Sequence, residues 1–335
     1  MEILQKVHAR HLVEWAKDKP EVLVLSADLT SNTEVDLFRD AYPERFLSMG
    51  MTEQNMMSLA GGLAREGYFP LVHTFAVFIY RRAQDQISMS IAYPNMPVRM
   101  FGFLPGITTP GGATHQAIDD IGILRVLPNM TILESGDATE VEQVLEIAHN
   151  VPGPVYVRQL RGAIPRLFSP SIPMRLGAAR ELRRGTDIAL FSAGICTEEA
   201  MRATQILEER GVSIQHMHIS THKPFSDPAV VEAAAQAKYG VISMENHTII
   251  GGLGSAVAER MAEAGVGKRL VRIGLKDTYA HGASRPYLMN EYGLDAIALV
   301  REVENVLGAN LNISENDLAE VRIEDIHSEA KAEAL

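Results

Sequence analysis

Short apolar runs of strand length alternate with helical segments over most of this sequence. Predicted strands lie at residues 22–25, 71–75, 98–103, 131–133 and 154–158, and again at 188–192, 212–218, 241–244 and 270–273. Helical periodicity fills several of the intervals and also marks residues 3–16 and 296–307. Strands separated by helices in this way pair in parallel, and parallel sheets are covered by helices. The sequence therefore predicts an α/β protein with mostly parallel, helix-covered sheets.

One interruption divides the alternation into two domains, and 335 residues are enough for both. We expect the first domain at residues 1–165 and a smaller second domain at residues 186–308. Residues 166–185, with their prolines and polar side chains, are predicted to be the interdomain linker. We expect residues 309–335 to form a solvated tail or a frayed helix. Its acidic residues include Glu315, Asp317, Glu320, Glu324 and Asp325.

Composition excludes several classes of protein. The formal net charge of -11 argues against a general nucleic-acid surface, although it allows a local basic pocket. A single cysteine rules out an internal disulfide framework and suits a reducing compartment. No apolar run approaches the roughly 18 residues of a membrane span, and the first residues lack the apolar core of a signal peptide. These features predict a cytoplasmic protein.

A carboxylate stands where a predicted strand turns into a helix. The strand-like run 45–49 meets Gly50, and a helical pattern follows with Glu53 on its first turn. Ligands usually bind at the carboxyl ends of strands in open α/β sheets. The alternative is that Glu53 only favours the positive helix start, which is worth a few tenths of a kcal/mol. Methionines flank this carboxylate at positions 49, 51, 56 and 57.

Other strand ends carry further candidates. Phe75 and Phe78 could form an aromatic wall against a heterocycle, although core packing also explains such a pair. His115 follows a glycine-rich loop and could exchange protons near neutral pH, or it could be structural. Arg158 and Arg161 at the end of strand 154–158 could bind phosphate or carboxylate, or pair with ordinary acids.

Three further patterns carry weaker signals. Residues 251–254, Gly-Gly-Leu-Gly, resemble part of a dinucleotide fingerprint, but close helix packing explains them better. The histidines at 216, 218 and 222 suggest a metal, yet no acidic or cysteine partner has ligand spacing, so no metal site is predicted. Cys196 begins a helix, which could lower its pKa, but no base accompanies it and packing is favoured.

Taken together, the motifs resemble the transketolase family. The first domain has the order and spacing of that family's pyrimidine-binding domain, and the second fits its carboxyl-terminal domain, over residues 1 to about 308. The motifs that carry the resemblance are Gly50-Met51-Thr52-Glu53-Gln54, Thr74-Phe75-Ala76-Val77-Phe78, Arg82-Ala83-Gln84-Asp85-Gln86, Gly112-Ala113-Thr114-His115-Gln116, Lys223-Pro224-Phe225, Glu245-Asn246-His247 and Gly251-Gly252-Leu253-Gly254. Each is weak alone and specific in combination.

The resemblance implies thiamine diphosphate chemistry, in which a two-carbon ketol unit moves from a ketose donor to an aldose acceptor. Glu53 matches the glutamate that hydrogen-bonds the aminopyrimidine ring, in an apolar pocket where a carboxyl group can hold or share a proton. Phe75 and Phe78 match the aromatic wall, and Asp28 matches an aspartate near the cofactor. His115 matches a histidine that contacts a substrate hydroxyl, which gives it a catalytic and a substrate-binding role. Arg161 matches a sugar-phosphate arginine.

One part of the family's active site has no counterpart in this sequence. Family members hold the diphosphate and Mg²⁺ through a Gly-Asp-Gly motif and an asparagine on a preceding domain. The sequence thus resembles the carboxyl-terminal subunit of a split transketolase. This implies an amino-terminal partner subunit that holds Mg²⁺, an assembly with two copies of each chain, and no metal ligand on this chain.

The predicted substrate pocket also departs from the family pattern. A typical member has an aspartate at the position of Gly111 and often a histidine at that of Phe103. The usual arginine near the start of the domain is replaced by Gln5 or Lys6. Because sites that read hydroxyl groups reject mismatched substrates strongly, losing polar groups changes discrimination. We therefore expect a specialised ketose, branched or otherwise modified.

Three alternatives remain open at this point. The β subunit of a 2-oxo acid dehydrogenase is also split and of about this length. A synthase that condenses pyruvate with an aldehyde is a related possibility. From a different class, the chain could be a non-catalytic scaffold that stabilises a partner enzyme.

Overall fold

The computed structural model describes residues 2–319. Strands of the amino-terminal half are β1 (Ile3–Gln5), β2 (Val22–Ser26), β3 (Phe46–Ser48), β4 (Phe69–Phe75), β5 (Arg99–Phe103), β6 (Thr131–Glu134), β7 (Val155–Gln159) and β8 (Ala163–Pro165). Those of the carboxyl-terminal half are β9 (Arg180–Arg183), β10 (Ile188–Ser192), β11 (Ile214–His218), β12 (Thr221–Lys223), β13 (Gly240–Thr248) and β14 (Leu270–Leu275).

Helices connect most of these strands. Those of the first half are α1 (Val7–Trp15), α2 (Asp36–Ala41), α3 (Glu53–Arg65), α4 (Ala76–Gln86), α5 (Asp120–Arg125) and α6 (Ala138–Asn150). Those of the second half are α7 (Cys196–Glu209), α8 (Pro228–Gln236), α9 (Leu253–Glu263), α10 (Arg285–Glu291), α11 (Ala296–Leu307) and α12 (Glu315–Ala319). Pro43–Arg45 and Gly112–Thr114 are 3₁₀ turns, and Ile87–Ala92 is π-helical. None of the described helices is both long enough and apolar enough to cross a membrane.

The strands of residues 2–319 form two large sheets and one small one. The first sheet has the order β12-β6-β7-β5-β4-β2-β3 and is parallel except for β12. The second has the order β14-β13-β10-β11-β9 and is parallel except for β9. β1 and β8 form a separate antiparallel pair. The prediction of two α/β domains with mostly parallel, helix-covered sheets is confirmed.

Apolar side chains cover both faces of the second sheet. One core contains Leu207 of α7 and Leu299 of α11, and the opposite core contains Val230 of α8 and Val257 of α9. The first domain has one large continuous core of its own. Burial of two separate cores explains why a chain of this length folds as two domains.

The start of the chain differs from the predicted helix over residues 3–16. Residues Ile3–Gln5 form β1, and the helix begins only at Val7. Lys6 has a φ of 49°, a left-handed conformation that neither a strand nor a helix can continue through. Apolar periodicity could not reveal this break, because the partner strand β8 lies some 160 residues along the chain.

Segments expected to be irregular also contain ordered structure. Within the predicted linker 166–185, strand β9 pairs with the edge of the second sheet. In the predicted tail, Ile313 and Leu318 are buried in the core that contains α7 and α11, so this part is packed and not solvated. The acidic residues Glu320, Glu324 and Asp325 lie outside the described residues.

A buried arginine joins the two domains. The guanidinium of Arg158 on β7 is fully buried and pairs with Asp120 at 2.9 Å and Glu134 at 2.6 Å. It also donates to the backbone carbonyl of Asn246 on β13, 2.9 Å away. His222 on β12 lies 2.7 Å from the second oxygen of Glu134. Burial alone would raise the pKa of Glu134, but Arg158 and the His222 hydrogen bond lower it to about 2. Glu134 and Arg158 therefore remain charged in the interior.

Two buried histidines lie in contact near the carboxyl edge of the first sheet. The Nε2 atoms of His8 on α1 and His73 on β4 are 3.0 Å apart. His73 stacks on Phe101, with ring centroids 5.0 Å apart, and both histidines contact Phe103. Burial lowers the pKa of His73 to about 3. Burial, and then the neighbouring His73, lowers the pKa of His8 well below its usual value.

Replacing Arg158 tests the link between the domains. Arg158→Met leaves the buried carboxylates of Asp120 and Glu134 without their cation, so we expect the free energy of unfolding to fall by about 3–5 kcal/mol. Arg184 is the matched control, because its ion pair with Glu181 is on the surface. Arg184→Gln should change the free energy by less than about 0.5 kcal/mol in the same urea titrations. Equal losses of unfolding free energy in the two variants would show that Arg158 does not stabilise the contact between the domains.

The histidine pair predicts a loss of stability in acid. An unfolded histidine binds a proton near pH 6.5, whereas His73 in the folded state does so only at about 3. The unfolded state therefore binds the extra proton between these values, and stability falls as pH falls through this window, by about 1.4 kcal/mol per pH unit for each such group.

His73→Gln should reduce the slope of the unfolding free energy against pH by the amount that corresponds to about one proton. The slope is measured by chemical denaturation between pH 7 and 5. His281 provides a control, since its side chain is about half exposed. His281→Gln should leave the slope as it is in the unmodified chain. An unchanged slope for His73→Gln would show that another group is responsible.

Candidate active site

Glu53 begins α3, directly beyond the carboxyl end of β3. Gly50, with a φ of 66°, turns the chain from the strand toward the helix, a conformation that glycine adopts without strain. The Glu53 side chain is only 3% exposed. Its carboxylate accepts a hydrogen bond from Arg82 of α4 at 2.8 Å. The carboxylate is therefore buried and paired with a cation.

This pairing differs from the expected apolar pocket. Among the flanking methionines, Met56 and Met57 point into the core, while Met51 is 77% exposed. The group that contacts the carboxylate is the guanidinium of Arg82, which lies 29 residues further along the chain on α4. The two residues meet because α3 packs against α4. The helix-start alternative explains the position of Glu53 on the first turn but not its ion pair.

Phe75 and Phe78 lie beside this ion pair. Phe75 ends β4 and is almost fully buried, whereas Phe78 on α4 is half-buried. Their ring centroids are 5.8 Å apart and the planes are 28° apart. The guanidinium carbon of Arg82 lies 3.9 Å from the centroid of Phe78, a cation–π distance. The two aromatics thus form a wall with one partly accessible ring.

His115 completes the group. Its ring meets Phe78 edge-on, with centroids 5.4 Å apart, and its Nδ1 lies 2.9 Å from the hydroxyl of Thr114. Gly111 makes this loop possible, because a Cβ at that position would lie 2.8 Å from the His115 side chain. We call Glu53, Phe75, Phe78, Arg82 and His115 the Glu53 cluster.

The second domain holds the loop that carries His115. The side chain of Asn246 accepts from the backbone N–H of Ile107 at 2.9 Å and donates to the carbonyl of Pro105 at 3.0 Å. Gln116 donates to the carbonyl of His281 at 3.2 Å. The Glu-Asn-His motif is visible in the sequence, but this role of Asn246 is not, because its partners lie about 140 residues away along the chain.

Asp28 and Arg161 lie at other strand ends of the same edge. Asp28 follows β2, is exposed and has a φ of 61°, which is rare for a residue other than glycine. Arg161 follows β7 and donates to the carbonyl of Asn32 at 2.7 Å, in the loop that Asp28 begins. Of the two arginines suggested as phosphate or carboxylate ligands, Arg158 is not available for this role, because it is buried in the interdomain network.

The three histidines suggested as metal ligands are hydrogen-bonded within the protein. His216 contacts Ser192 at 2.8 Å, His218 contacts Glu140 at 2.9 Å, and His222 contacts Glu134 at 2.7 Å. Burial lowers the pKa of His216 to about 3. Among residues 2–319 there is no group of three or more His, Cys, Asp and Glu side chains that could hold a metal ion.

The glycine motif at 251–254 holds an internal carboxylate. Glu245 accepts hydrogen bonds from the backbone N–H groups of Leu253 at 2.6 Å and Gly254 at 2.8 Å, at the start of α9. A Cβ at Gly252 would lie 2.0 Å from Glu245. Burial raises the pKa of Glu245 to about 7. The carboxylate takes the position that a phosphate would occupy at a helix start, so close packing is the better interpretation.

Cys196 is also structural. It begins α7 and is fully buried, and burial raises the pKa of its thiol well above the usual value. The pKa of this thiol is therefore not lowered at the helix start: burial, and then the nearby carboxylate of Glu134, raises it.

Two family models cover most of the chain. Residues 4–166 match the pyrimidine-binding domain of transketolase, and residues 177–299 match the transketolase carboxyl-terminal domain. A solved structure described as a split-gene transketolase, inactive beta4 tetramer, superposes with a TM-score of 0.82 at 37% identity. That comparison covers 90% of this chain and 97% of the other.

Curated relatives include subunits of sugar-specific transketolases. The 6-deoxy-6-sulfo-D-fructose transketolase subunit SqwH of Clostridium sp. is 35% identical over 90% of this chain and 94% of its own length. One of the subunits of the apulose-4-phosphate transketolase of Actinobacillus succinogenes is 32% identical over 89% of this chain and 96% of its own length.

Proposed function

The chain belongs to the transketolase family. We propose that it is the subunit of a split transketolase that holds the aminopyrimidine ring of thiamine diphosphate. The reaction is transfer of a two-carbon ketol unit from a ketose to an aldose. The observation that carries the proposal is the Glu53 cluster, in which a buried carboxylate, an aromatic wall and a histidine meet at the carboxyl edge of a parallel sheet. That edge is where such folds bind ligands.

The residues of the cluster fit an aminopyrimidine. Glu53 provides a buried carboxylate for a ring nitrogen, and Phe78 provides a partly accessible aromatic face. When bound, thiamine diphosphate would supply the nucleophilic carbon that this ketol transfer requires. The carboxyl group of Glu53 would then hydrogen-bond the ring nitrogen and hold a proton there. Its burial keeps water from competing for that hydrogen bond.

Two further residues act on the sugar in this proposal. His115, whose ring is oriented by Thr114 and Phe78, contacts a substrate hydroxyl and exchanges a proton with it. Arg161 binds the anionic end of the substrate, for which a guanidinium is well suited. Asp28, in its left-handed conformation beside β4, contacts the cofactor; backbone strain of this kind is common at functional sites.

We propose that a partner subunit supplies the diphosphate and Mg²⁺ site. This is supported by the two curated relatives described as transketolase subunits. The solved structure described as a split-gene transketolase also supports a partner subunit, because the match covers 90% of this chain and 97% of the other. The assembly in this proposal contains two copies of each subunit, with the active site shared between unlike chains.

The substrate is proposed to be a specialised ketose. Gly111 and Phe103 replace polar groups of the family pattern, and both positions are closely packed, against His115 and against the His8–His73 pair respectively. Two relatives are named for 6-deoxy-6-sulfo-D-fructose and for apulose 4-phosphate. These names support a modified sugar for this chain as well.

Glu53→Gln separates catalysis from scaffolding. Glutamine keeps the shape and can still accept from Arg82, but it lacks the ionisable carboxyl group. We expect the rate of ketol transfer to fall about 10²- to 10⁴-fold while the assembly stays intact by size-exclusion chromatography. Glu66, exposed at the other end of α3, is the matched control, and Glu66→Gln should keep the full rate. Full activity in Glu53→Gln would favour the scaffold alternative.

A donor screen tests the reaction and the partner requirement. With thiamine diphosphate and Mg²⁺, we expect transfer only when this chain is assembled with its amino-terminal subunit. Xylulose 5-phosphate with ribose 5-phosphate should be at least about tenfold slower than the best modified ketose, because unmatched polar groups discriminate strongly. Equal rates would refute a specialised substrate, and activity of the chain alone would refute the split site. Decarboxylation of pyruvate would favour the dehydrogenase or synthase alternatives.

A further inference from the structure

Arg82 contacts both parts of the pocket that the proposed function assigns to the aminopyrimidine. One Nη atom lies 2.8 Å from the Glu53 carboxylate, and the guanidinium carbon lies 3.9 Å above the centre of the Phe78 ring. These are a charge-assisted hydrogen bond and a cation–π contact. The flat guanidinium thus uses the same acceptor and the same aromatic face that a flat heterocycle needs.

The ion pair stabilises a carboxylate that is otherwise shielded from water. Glu53 is 3% exposed, and a buried carboxylate that lacks a partner is strongly unfavourable. Arg82 removes that penalty at little expense to itself, because 46% of its own side chain is exposed to solvent. If the pair separates, Arg82 loses little interaction energy, because its guanidinium is already half-solvated. Glu53 would lose its only charge partner described within residues 2–319.

The backbone of α4 is irregular next to Arg82. Ala83 has φ −125° and ψ 24°, which is not helical, although residues on both sides are. The π-helical segment Ile87–Ala92 continues the same helix. Kinks and π-turns release helical hydrogen bonds and often occur at functional sites. Arg82, which contacts both Glu53 and Phe78, therefore stands next to a break in its helix.

We propose that Arg82 is a placeholder, which closes the pyrimidine pocket in the cofactor-free subunit and leaves Glu53 and Phe78 when thiamine diphosphate binds. The proposal rests on the proposed function, since it concerns the same carboxylate and ring. Two consequences follow. Arg82 competes with the cofactor for its site, and it maintains the buried carboxylate until the cofactor arrives.

Cofactor affinity tests the competition. The assembled enzyme, with Mg²⁺ and without sugar, is titrated with thiamine diphosphate by calorimetry. Arg82→Gln removes the competitor, and we expect about tenfold tighter binding, the change that corresponds to 1.4 kcal/mol. Arg82→Lys keeps the charge but covers the ring less well, so its affinity should lie between the two. Arg65→Gln, on the exposed face at the end of α3, should bind as the unmodified enzyme does.

Thermal unfolding of the same variants gives a second measurement. Without cofactor, Arg82→Gln should unfold at a lower temperature because Glu53 has lost its partner. Saturating thiamine diphosphate should then raise its unfolding temperature by more than it raises that of the unmodified enzyme.

The possible failures are distinguishable. Equal or weaker binding by Arg82→Gln, with binding by the unmodified enzyme, would overturn the placeholder and leave the proposed function standing; weaker binding would make Arg82 a cofactor ligand. If neither the folded unmodified assembly nor any variant binds thiamine diphosphate, the proposed function itself is wrong and the placeholder proposal fails with it.

Discussion

The structure depends on the buried guanidinium of Arg158. Removing it and two carboxylates from water is costly, and the cost is offset only if each charge finds a well-placed partner. Here the partners come from the end of β6, from α5 and from the carbonyl of Asn246 on β13. The network therefore fixes the carboxyl edge of the first sheet against the second domain. Because Asn246 also holds the loop that leads to His115, the same network positions that loop.

The Glu53 cluster shows how this edge assembles a site from distant segments. Glu53 follows β3, Phe75 ends β4, and His115 lies beyond β5. All three strands run in parallel, so their carboxyl ends share one edge of the sheet. The contact between Glu53 and Phe78 is made through Arg82 on α4, which packs against α3. Strand direction thus places the residues near one another, and helix packing brings them into contact.

The features that depend on local sequence pattern could be predicted from the sequence. Alternating apolar runs identified the strands and the two domains, and the position of Glu53 after a strand identified the edge of the sheet. Features that depend on pairing between distant residues could not be predicted. The strand β1, the ion pair of Glu53 with Arg82 and the burial of Arg158 each require partners that spacing does not reveal. The burial of Ile313 and Leu318 could not be predicted either, because the acidic residues around them are typical of a solvated segment.

The packing of the His115 loop bears on how the pocket differs from the family pattern. At Gly111 a Cβ would meet the side chain of His115, so an aspartate would fit only if the loop moved. Movement is opposed on the other side, where Gly112 lies against Gly282 and Gln116 is bonded to the carbonyl of His281. The missing aspartate is therefore one part of a loop conformation that both domains determine. An aspartate at position 111 would therefore require the loop and the residues of the second domain that lie against it to shift together.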